Sequence, residues 1–206
     1  MPAESLTAKG RQTREAIEQA ARKLFAESGF HGATLADITT AAGRSPAVFY
    51  RYFADKEDLL AALAESFLHD VVTPSGLSLE LPASPDDDAF FTSVVTGYWN
   101  MFKQNIGIMI AVAQLAATQR RFAAVQNEFR RFGMDIVAAS VRRAQEQGYG
   151  AELNPQHTAA AIALLFENFT TVFVGPAGPE GLRLKISDRD AIATLSRVWK
   201  KTLYGA

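Results

Sequence analysis

The stretch from Thr34 to Phe53 (TLADITTAAGRSPAVFYRYF) constrains the fold more than any other part of the chain. It contains two short helical patterns with Gly43 between them, where a helix commonly ends in a left-handed residue. Thr34 is a suitable N-cap for the first helix, and Ser45 followed by Pro46 is a typical start for the second. The pattern is that of a helix-turn-helix, a motif that places its second helix in the DNA major groove.

The second of these helices has two dissimilar faces. Phe49 and Phe53 are four residues apart and share one face, which we expect to be buried. Ala47, Tyr50 and Arg51 lie on the other side. A short helix that buries two phenylalanines and exposes a tyrosine, an arginine and a small residue suits the floor of a major groove.

Further residues at fixed spacing extend this pattern from about residue 12 to residue 63: Gly29-Phe30, Thr34, Ile38, Ala42-Gly43, Ser45, Phe49-Tyr50, Tyr52-Phe53, Lys56-Glu57 and Leu59. In these residues the chain resembles the DNA-binding domain of the TetR family of bacterial transcriptional regulators. It departs from the family at Arg44, Ala47 and Tyr52, where Val, Gly and His are common. The departures leave the expected fold unchanged, but they make the operator sequence harder to infer.

The resemblance implies a set of DNA-contacting residues. The tyrosines suit phosphate oxygens, and the arginines can reach a phosphate or a guanine edge. Ala47 and Val48 can contact a thymine methyl group. The expected set is Thr34, Arg44, Ser45, Ala47, Val48, Tyr50, Arg51, Tyr52 and Lys56. The alternative is that the tyrosines are half-buried packing residues and that the basic side chains are only solvated.

Composition sets broad limits on function. The 206 residues carry a net charge of −1, and 48% are hydrophobic, which allows a substantial core but gives no global basic field. This excludes a histone-like DNA-coating protein, although not a local reader of DNA. The absence of cysteine excludes disulfides and thiolate metal sites and suits a reducing cytoplasm. The N-terminal segment has no apolar run, and we expect that it is not a signal peptide.

Other kinds of site are not indicated. His31, His69 and His157 are far apart in the sequence and form no metal-binding pattern, so we expect neither a metal nor a cofactor. The sequence has no P-loop, G-x-S-x-G, H-E-x-x-H or complete G-x-G-x-x-G motif. We therefore expect no enzyme activity. The alternative is a helical enzyme or small-molecule carrier with an accessory DNA-binding head.

Apolar residues recur at helical spacing along the chain, and no segment alternates with a period of two, which predicts an all-α protein of about nine helices. We expect a three-helix DNA-binding domain over residues 1–55 and a larger helical effector-binding and dimerisation domain over residues 56–206. Helix 1 should end at Gly29, with Phe30 folding back on Phe25. Helix 4 is expected at about 56–72, and helix 5 begins after the aspartates at 86–88. Helices 6 to 9 are expected at about 106–118, 120–147, 155–174 and 188–203. Loops are expected at 73–86 and 175–186.

The apolar spacing also predicts which side of each later helix is buried. For helix 6 the expected inner residues are Ile106, Met109, Ile110, Ala113 and Ala117. For helix 7 they are Phe122, Val125, Phe129, Phe132, Ile136 and Val137, with Arg130, Arg131, Arg142 and Arg143 outside. For helix 9 they are Ile192, Leu195, Val198 and Trp199.

Helix 8, which begins at Asn154-Pro155, is apolar nearly all round and therefore needs partners on two sides. One partner should be its own domain, and the other the same helix in a second chain. We expect a homodimer through the helices near 155–174 and 188–203. Glu167 and Asn168 interrupt the apolar run, so we do not expect a membrane span.

In the family, the second half of the chain surrounds a small-molecule pocket, and the resemblance implies one here. The expected lining residues are Trp99, Phe102, Met109, Phe129, Phe132 and Phe169. The expected polar contacts are Tyr98, Gln114 and Asn168. The alternative is that these residues are ordinary core, because apolar residues at helical spacing usually are.

Together these features predict a cytoplasmic, sequence-specific DNA-binding transcriptional regulator. The resemblance implies a homodimer on a palindromic operator and, by default, a repressor that is released by a small apolar or amphipathic effector. A regulator with a filled core, which responds to protein partners or to DNA alone, stays open as an alternative.

Overall fold

The computed structural model describes residues 7–72, 81–175, 178 and 184–205. Within these residues it contains nine α-helices and no strand, which confirms the all-α prediction. The helices are α1 (Ala8–Gly32), α2 (Leu35–Ala41), α3 (Pro46–Phe49), α4 (Lys56–Val72), α5 (Asp88–Gln104), α6 (Ile106–Ala116), α7 (Arg120–Glu146), α8 (Pro155–Val174) and α9 (Asp188–Tyr204). The predicted loops lie partly outside the described residues, and their described ends, 81–87 and 184–187, are not helical.

The chain folds into two compact units. The first comprises the described residues up to Val71 together with Asn105–Gln126, and the second comprises those from Val72 to Gln104 and from Asn127 onwards. The first unit therefore holds α1, the helix-turn-helix, nearly all of α4, α6 and the start of α7. The predicted domain boundary between residues 55 and 56 separates a DNA-binding function from an effector-binding function. The packing of the two units does not test that division, so the boundary stays a prediction.

Helix α1 begins four residues before its predicted start at residue 12; it is interrupted at Gly29, its predicted end, but a last turn continues to Gly32. Thr7 caps it, with its hydroxyl oxygen accepting from the Gly10 amide at 3.2 Å. Gly29 has a φ of 71°, a left-handed conformation that interrupts the helix and favours glycine. The turn brings the Phe30 ring to 5.3 Å from the Phe25 ring, measured between centroids. Both phenylalanines are buried and lie beside the helix-turn-helix in the core of the first unit.

The buried side of α6 is not the predicted one. The predicted residues are exposed or half-buried: Ile106, Met109, Ile110, Ala113 and Ala117. The residues buried instead are Gly107, Ile108, Ala111, Val112 and Leu115. The reason is a backbone contact, because a Cβ added to Gly107 would lie 2.5 Å from backbone atoms of Phe25 and Ala26 in α1. An apolar helix carries too little periodicity to reveal such a contact.

The core of the second unit is built around Trp199 of α9. Its ring contacts Phe90 and Phe91 of α5 edge-on, with centroids 5.6 and 5.1 Å apart. The indole nitrogen donates to the Ser140 hydroxyl of α7 at 3.2 Å, and this hydroxyl donates to the Val137 carbonyl at 2.7 Å. The Trp199 and Ser140 polar groups are thus satisfied while the aromatic rings hold α5 and α9 together.

Two predicted orientations in the second unit are wrong. Arg130 of α7 is not on the outside but half-buried, and it forms a two-pronged ion pair with Glu167 of α8, at 2.6 and 2.8 Å. Val198 of α9 is exposed, because the buried stripe of α9 includes Ser196, whose hydroxyl faces the Phe91 carbonyl at 3.4 Å. A polar residue inside the stripe moves the buried side away from Val198.

Helix α8 starts as predicted, with the Asn154 side chain accepting from the amides of Gln156 and His157, both at 3.0 Å. Among the described residues it is the one helix whose length and composition would allow it to cross a membrane. Such a helix is weak evidence, because core helices of soluble proteins share these properties. The ion pair of Glu167 within it fits a protein environment better than lipid.

Candidate functional site

The first helix of the motif is fixed by a reciprocal cap. The Thr34 hydroxyl accepts from the Asp37 amide at 3.1 Å, and the Asp37 carboxylate accepts from the Thr34 amide at 3.0 Å and from its hydroxyl at 2.6 Å. These hydrogen bonds from Thr34 lower the pKa of Asp37. The N-terminus of α2 thus already holds a carboxylate, with which a DNA phosphate would compete.

The turn and the second helix are built as the sequence predicts. Gly43 has a φ of 62°, and the Arg44 amide donates to the Thr39 carbonyl at 2.9 Å. Ser45 caps α3 by accepting from the Val48 amide at 3.4 Å, and Pro46 occupies the first helical position. These local signals set where α3 begins and which way it faces.

Helix α3 ends at Phe49, so the helix is shorter than the sequence suggests, and residues 50–52 form a turn that follows it. The buried and exposed sides of α3 and this turn nevertheless separate as expected. Phe49 and Phe53 are buried, with ring centroids 5.6 Å apart. Tyr50 has 59% of its surface exposed, and Arg51 is exposed beside it. The guanidinium of Arg14 in α1 covers the Phe53 ring at 5.1 Å, so α1 supports the motif from behind. The buried phenylalanines therefore hold an aromatic and a cationic side chain out toward solvent.

Six of the nine predicted contact residues are exposed, and the other three are half-buried. The exposed members are Thr34, Arg44, Ser45, Ala47, Tyr50 and Arg51. The half-buried members are Val48, Tyr52 and Lys56. Arg44 donates to the carbonyl of Gly43 at 3.1 Å, which holds its side chain at the turn. The arrangement can offer hydroxyl, phenol and guanidinium groups to a DNA groove.

Comparison with known proteins decides the family. The family described as bacterial regulatory proteins, tetR family, matches residues 17–63, which include the whole helix-turn-helix. The chain belongs to the TetR family. Like its relatives, it is a DNA-binding transcriptional regulator and not an enzyme.

One relative of the TetR-family chain covers it almost completely at low identity, and another covers about a third of it at higher identity. The HTH-type transcriptional regulator EthR of Mycobacterium tuberculosis is 23% identical over 190 residues, which is 92% of this chain and 86% of EthR. The repressor AcnR of Corynebacterium glutamicum is 38% identical over 68 residues, which is 32% of this chain and 36% of AcnR. The higher identity to AcnR is confined to about a third of each chain.

Solved structures show the same fold. The fatty acid degradation regulator FadR of Bacillus halodurans has a TM-score of 0.67 at 20% identity, covering 94% of this chain and 95% of FadR. GusR of Salmonella enterica has a TM-score of 0.66 at 19% identity, covering 96% of this chain and 98% of GusR. At such identities the likeness establishes the TetR-family fold, and ligands do not carry over with it.

Lys56 has a contact that the sequence did not reveal. Its ammonium donates to the carbonyls of Phe30 and Ala33, at 2.6 and 2.8 Å, and lies 4.4 Å from the centre of the Phe30 ring. Burial lowers its pKa. An ammonium has three donors, and these two carbonyls at the end of α1 engage two of them. Lys56 thus ties α4 to the segment that leads into the motif.

Replacing Lys56 with methionine tests both roles. We expect a lower unfolding midpoint, because two carbonyls lose their donor, and about tenfold weaker operator binding. If the third donor meets a phosphate, the slope of log K against log salt should become shallower by about 0.9. The slope is measured by fluorescence anisotropy across a salt series. An unchanged slope with weaker binding would show that Lys56 acts only through the tie to α1.

The start of α4 also meets the turn between α6 and α7 inside the first unit. Gln119 donates to Glu57 at 3.1 Å, and Arg121 lies 3.4 Å from both Asp58 and Glu65. These partners are more than fifty residues apart in sequence, and no local pattern predicts them. The contacts connect α4 to the part of the TetR-family chain that follows α5.

The predicted effector-binding residues fall in both units. Met109 and Gln114 belong to the first unit, and the others belong to the second: Tyr98, Trp99, Phe102, Phe129, Phe132, Asn168 and Phe169. Trp99 and Phe102 are buried, whereas Gln114 and Asn168 are exposed. The Asn168 amide donates to the Leu164 carbonyl at 3.1 Å. The roles of all nine stay predictions.

The structure does bring some of these residues together in the second unit. The Trp99 and Phe169 rings are 6.4 Å apart, and the Tyr98 ring lies 5.8 Å from Phe166 of α8. Thr170 joins this group although the sequence did not single it out, because a threonine inside an apolar helix carries no signal that it will be buried beside a tyrosine. An aromatic cluster with two hydroxyls therefore lies between α5 and α8.

Proposed function

We propose that the protein is a cytoplasmic, dimeric repressor whose two helix-turn-helix motifs bind the half-sites of a palindromic operator, and that a small apolar or amphipathic effector releases it. The main support for the proposal is the exposed pair of Tyr50 and Arg51, which follow α3 directly and are flanked by buried Phe49 and Phe53. The two exposed side chains take no part in the core and are placed as groove-reading residues would be.

An exposed apolar stripe supports dimerisation through α8 and α9. Leu164, Leu165 and Val172 of α8 and Val198 of α9 are large, apolar and exposed in a single chain. Residues 165 and 172 are seven apart and so lie on one side of the helix. Two copies of this surface related by a two-fold axis would cover each other. A two-fold dimer predicts half-sites about 34–36 Å apart, or multiples of that spacing.

The aromatic cluster between α5 and α8 supports the effector part of the proposal. Clusters of this type with a few polar groups are what small-molecule sites are made from. One structural relative, FadR of Bacillus subtilis, was solved in complex with stearoyl-CoA and has a TM-score of 0.64 at 18% identity. We infer an effector site at the aromatic cluster of this chain, without inferring the same ligand.

The contacts within the first unit suggest how an effector would act. Helix α6 packs on α1 at Gly107, and the turn after α6 binds α4, so a displacement of α6 would reach the motif from two sides. The effector shifts the dimer between binding-competent and incompetent states only by its difference in affinity for the two. Saturating effector that leaves operator affinity unchanged would refute this switch.

The test is selection from a random-sequence DNA library at near-physiological salt, followed by sequencing. We expect a palindromic consensus with half-sites one or more helical turns apart. Protein that has been denatured and refolded serves as the control for an effector retained during purification. Failure of both preparations to enrich any sequence would mean that the motif does not read DNA in this protein.

A further inference from the structure

A pair of buried hydroxyl groups lies between α5 and α8 in the second unit. Thr170 of α8 has no exposed surface, and the hydroxyl oxygens of Tyr98 and Thr170 are both closed off from solvent. Within the part of the chain that the structure describes, neither hydroxyl has a hydrogen-bond partner. Unpaired buried hydroxyls cost free energy, and each one in a native core calls for an explanation.

The surroundings of the pair are aromatic. The Tyr98 ring lies 5.9 Å from Phe102 and 5.8 Å from Phe166. Burial is the main reason that the pKa of Tyr98 is raised far above its usual range, so the phenol is neutral and able to donate. Thr170 is close enough to lower that pKa, but the two hydroxyls do not meet the geometry of a hydrogen bond. Among the described residues, the two hydroxyls are therefore unpaired polar groups surrounded by aromatic side chains.

The charges nearby disfavour an anionic ligand. The carboxylate of Glu167 is close enough to add to the raised pKa of Tyr98. Arg130, which could otherwise attract an anion, is already held by Glu167 through two hydrogen bonds of 2.6 and 2.8 Å. A second carboxylate brought beside Glu167 would lose its hydration and repel that carboxylate, with Arg130 already engaged, which is strongly unfavourable.

We propose that the Tyr98 and Thr170 hydroxyls are the polar anchor of the effector site, and that the effector is an uncharged, mainly apolar molecule with one hydrogen-bonding oxygen, as in an alcohol, a ketone or an amide. The inference rests on the proposed effector function and narrows the class of effector. An oxygen placed between the hydroxyls would accept from either one, while the apolar remainder packs on Phe166 and Phe169.

The binding test compares octan-1-ol with octanoate, which have the same chain length, by titration calorimetry on the full chain. We expect wild-type protein to bind the alcohol at least tenfold more tightly. Tyr98→Phe and Thr170→Val should each weaken alcohol binding about tenfold, because one neutral hydrogen bond is lost. Tyr149→Phe, which removes the same group from an exposed tyrosine, is the matched control and should leave binding unchanged.

A measurement without ligand tests the same idea independently. Because both hydroxyls lack partners, Tyr98→Phe and Thr170→Val should keep or raise the thermal unfolding midpoint. A clear drop in both midpoints would show that the hydroxyls are satisfied within the protein, and it would overturn the anchor. This arm does not depend on finding the natural effector.

The remaining outcomes separate the anchor from the proposed function. Tighter binding of octanoate, alcohol binding that neither variant alters, or no binding of either probe would overturn the inference. Release of the selected operator by some other compound would then leave the effector function intact. Conversely, octan-1-ol could bind through both hydroxyls without releasing the operator. That result would support the binding role of the hydroxyls and would refute release of the operator by a ligand at this site.

Discussion

Replacing Tyr50 and Arg51 together with alanine is expected to weaken specific operator binding by about 100–1,000-fold. A well-placed arginine contact to a base is worth about 1–3 kcal/mol, and a phenol bonded to a charged phosphate about 1.5–3 kcal/mol. Each 1.4 kcal/mol is a factor of ten in affinity, so the pair reaches this range even if the two losses are only partly additive. Anisotropy titrations with the selected operator and with a shuffled duplex measure the effect.

The matched control is Tyr149→Ala with Arg142→Ala, which removes an exposed tyrosine and an exposed arginine from the second unit. Both double variants should unfold within a few degrees of the wild type, because surface substitutions change stability little. The control should also bind the operator normally. Wild-type affinity in the Tyr50 and Arg51 double variant would show that this face of α3 is not the reading surface. An equal loss of affinity for both duplexes would show that these residues contact phosphates and not bases.

The geometry of the motif can be predicted from the sequence because the residues that determine it act over a short range. The Thr34 cap, the left-handed Gly43 and the Ser45-Pro46 start act within three or four residues, so the sequence displays them directly. The spacing of Phe49 and Phe53 then decides which side of α3 is buried. Local rules therefore recover the geometry of the motif without knowledge of what it packs against.

Contacts made over long sequence separations could not be predicted in this way. The side of α6 that is buried depends on the approach of Gly107 to α1, about eighty residues away, and α6 is apolar on every side. The partners of Lys56 are backbone carbonyls, which every residue possesses. Thr170 became a candidate only when its helix was placed against Tyr98. In each case the missing information is tertiary packing.

Replacing Leu165 with arginine is expected to convert the dimer into monomers at micromolar concentration. Leu165 is 42% exposed in a single chain, so an arginine there can remain solvated in the monomer. In the proposed dimer it would be buried beside its own symmetry mate, and two like charges without partners cost several kcal/mol. Sedimentation velocity measures the change in mass directly.

Loss of the dimer should weaken operator binding about 100- to 10,000-fold. Two motifs in one dimer bind with the second held near its half-site at an effective millimolar concentration, and a monomer loses that advantage without losing a DNA contact. Leu184→Arg is the matched control, because it adds the same charge at a leucine that is 52% exposed but lies outside α8 and α9. It should remain dimeric and bind the operator normally.

The concentration dependence of unfolding separates lost dimerisation from damage to the fold. A protein that dissociates as it unfolds has a midpoint that rises with protein concentration, whereas a monomer does not. Wild type and Leu184→Arg should show this rise, and Leu165→Arg should show a constant midpoint with unchanged helical circular dichroism. A Leu165→Arg protein that stays dimeric would place the interface elsewhere. Monomers that bind the palindrome at full affinity would mean that each motif acts alone, and two-fold symmetry would then have no part in reading the operator.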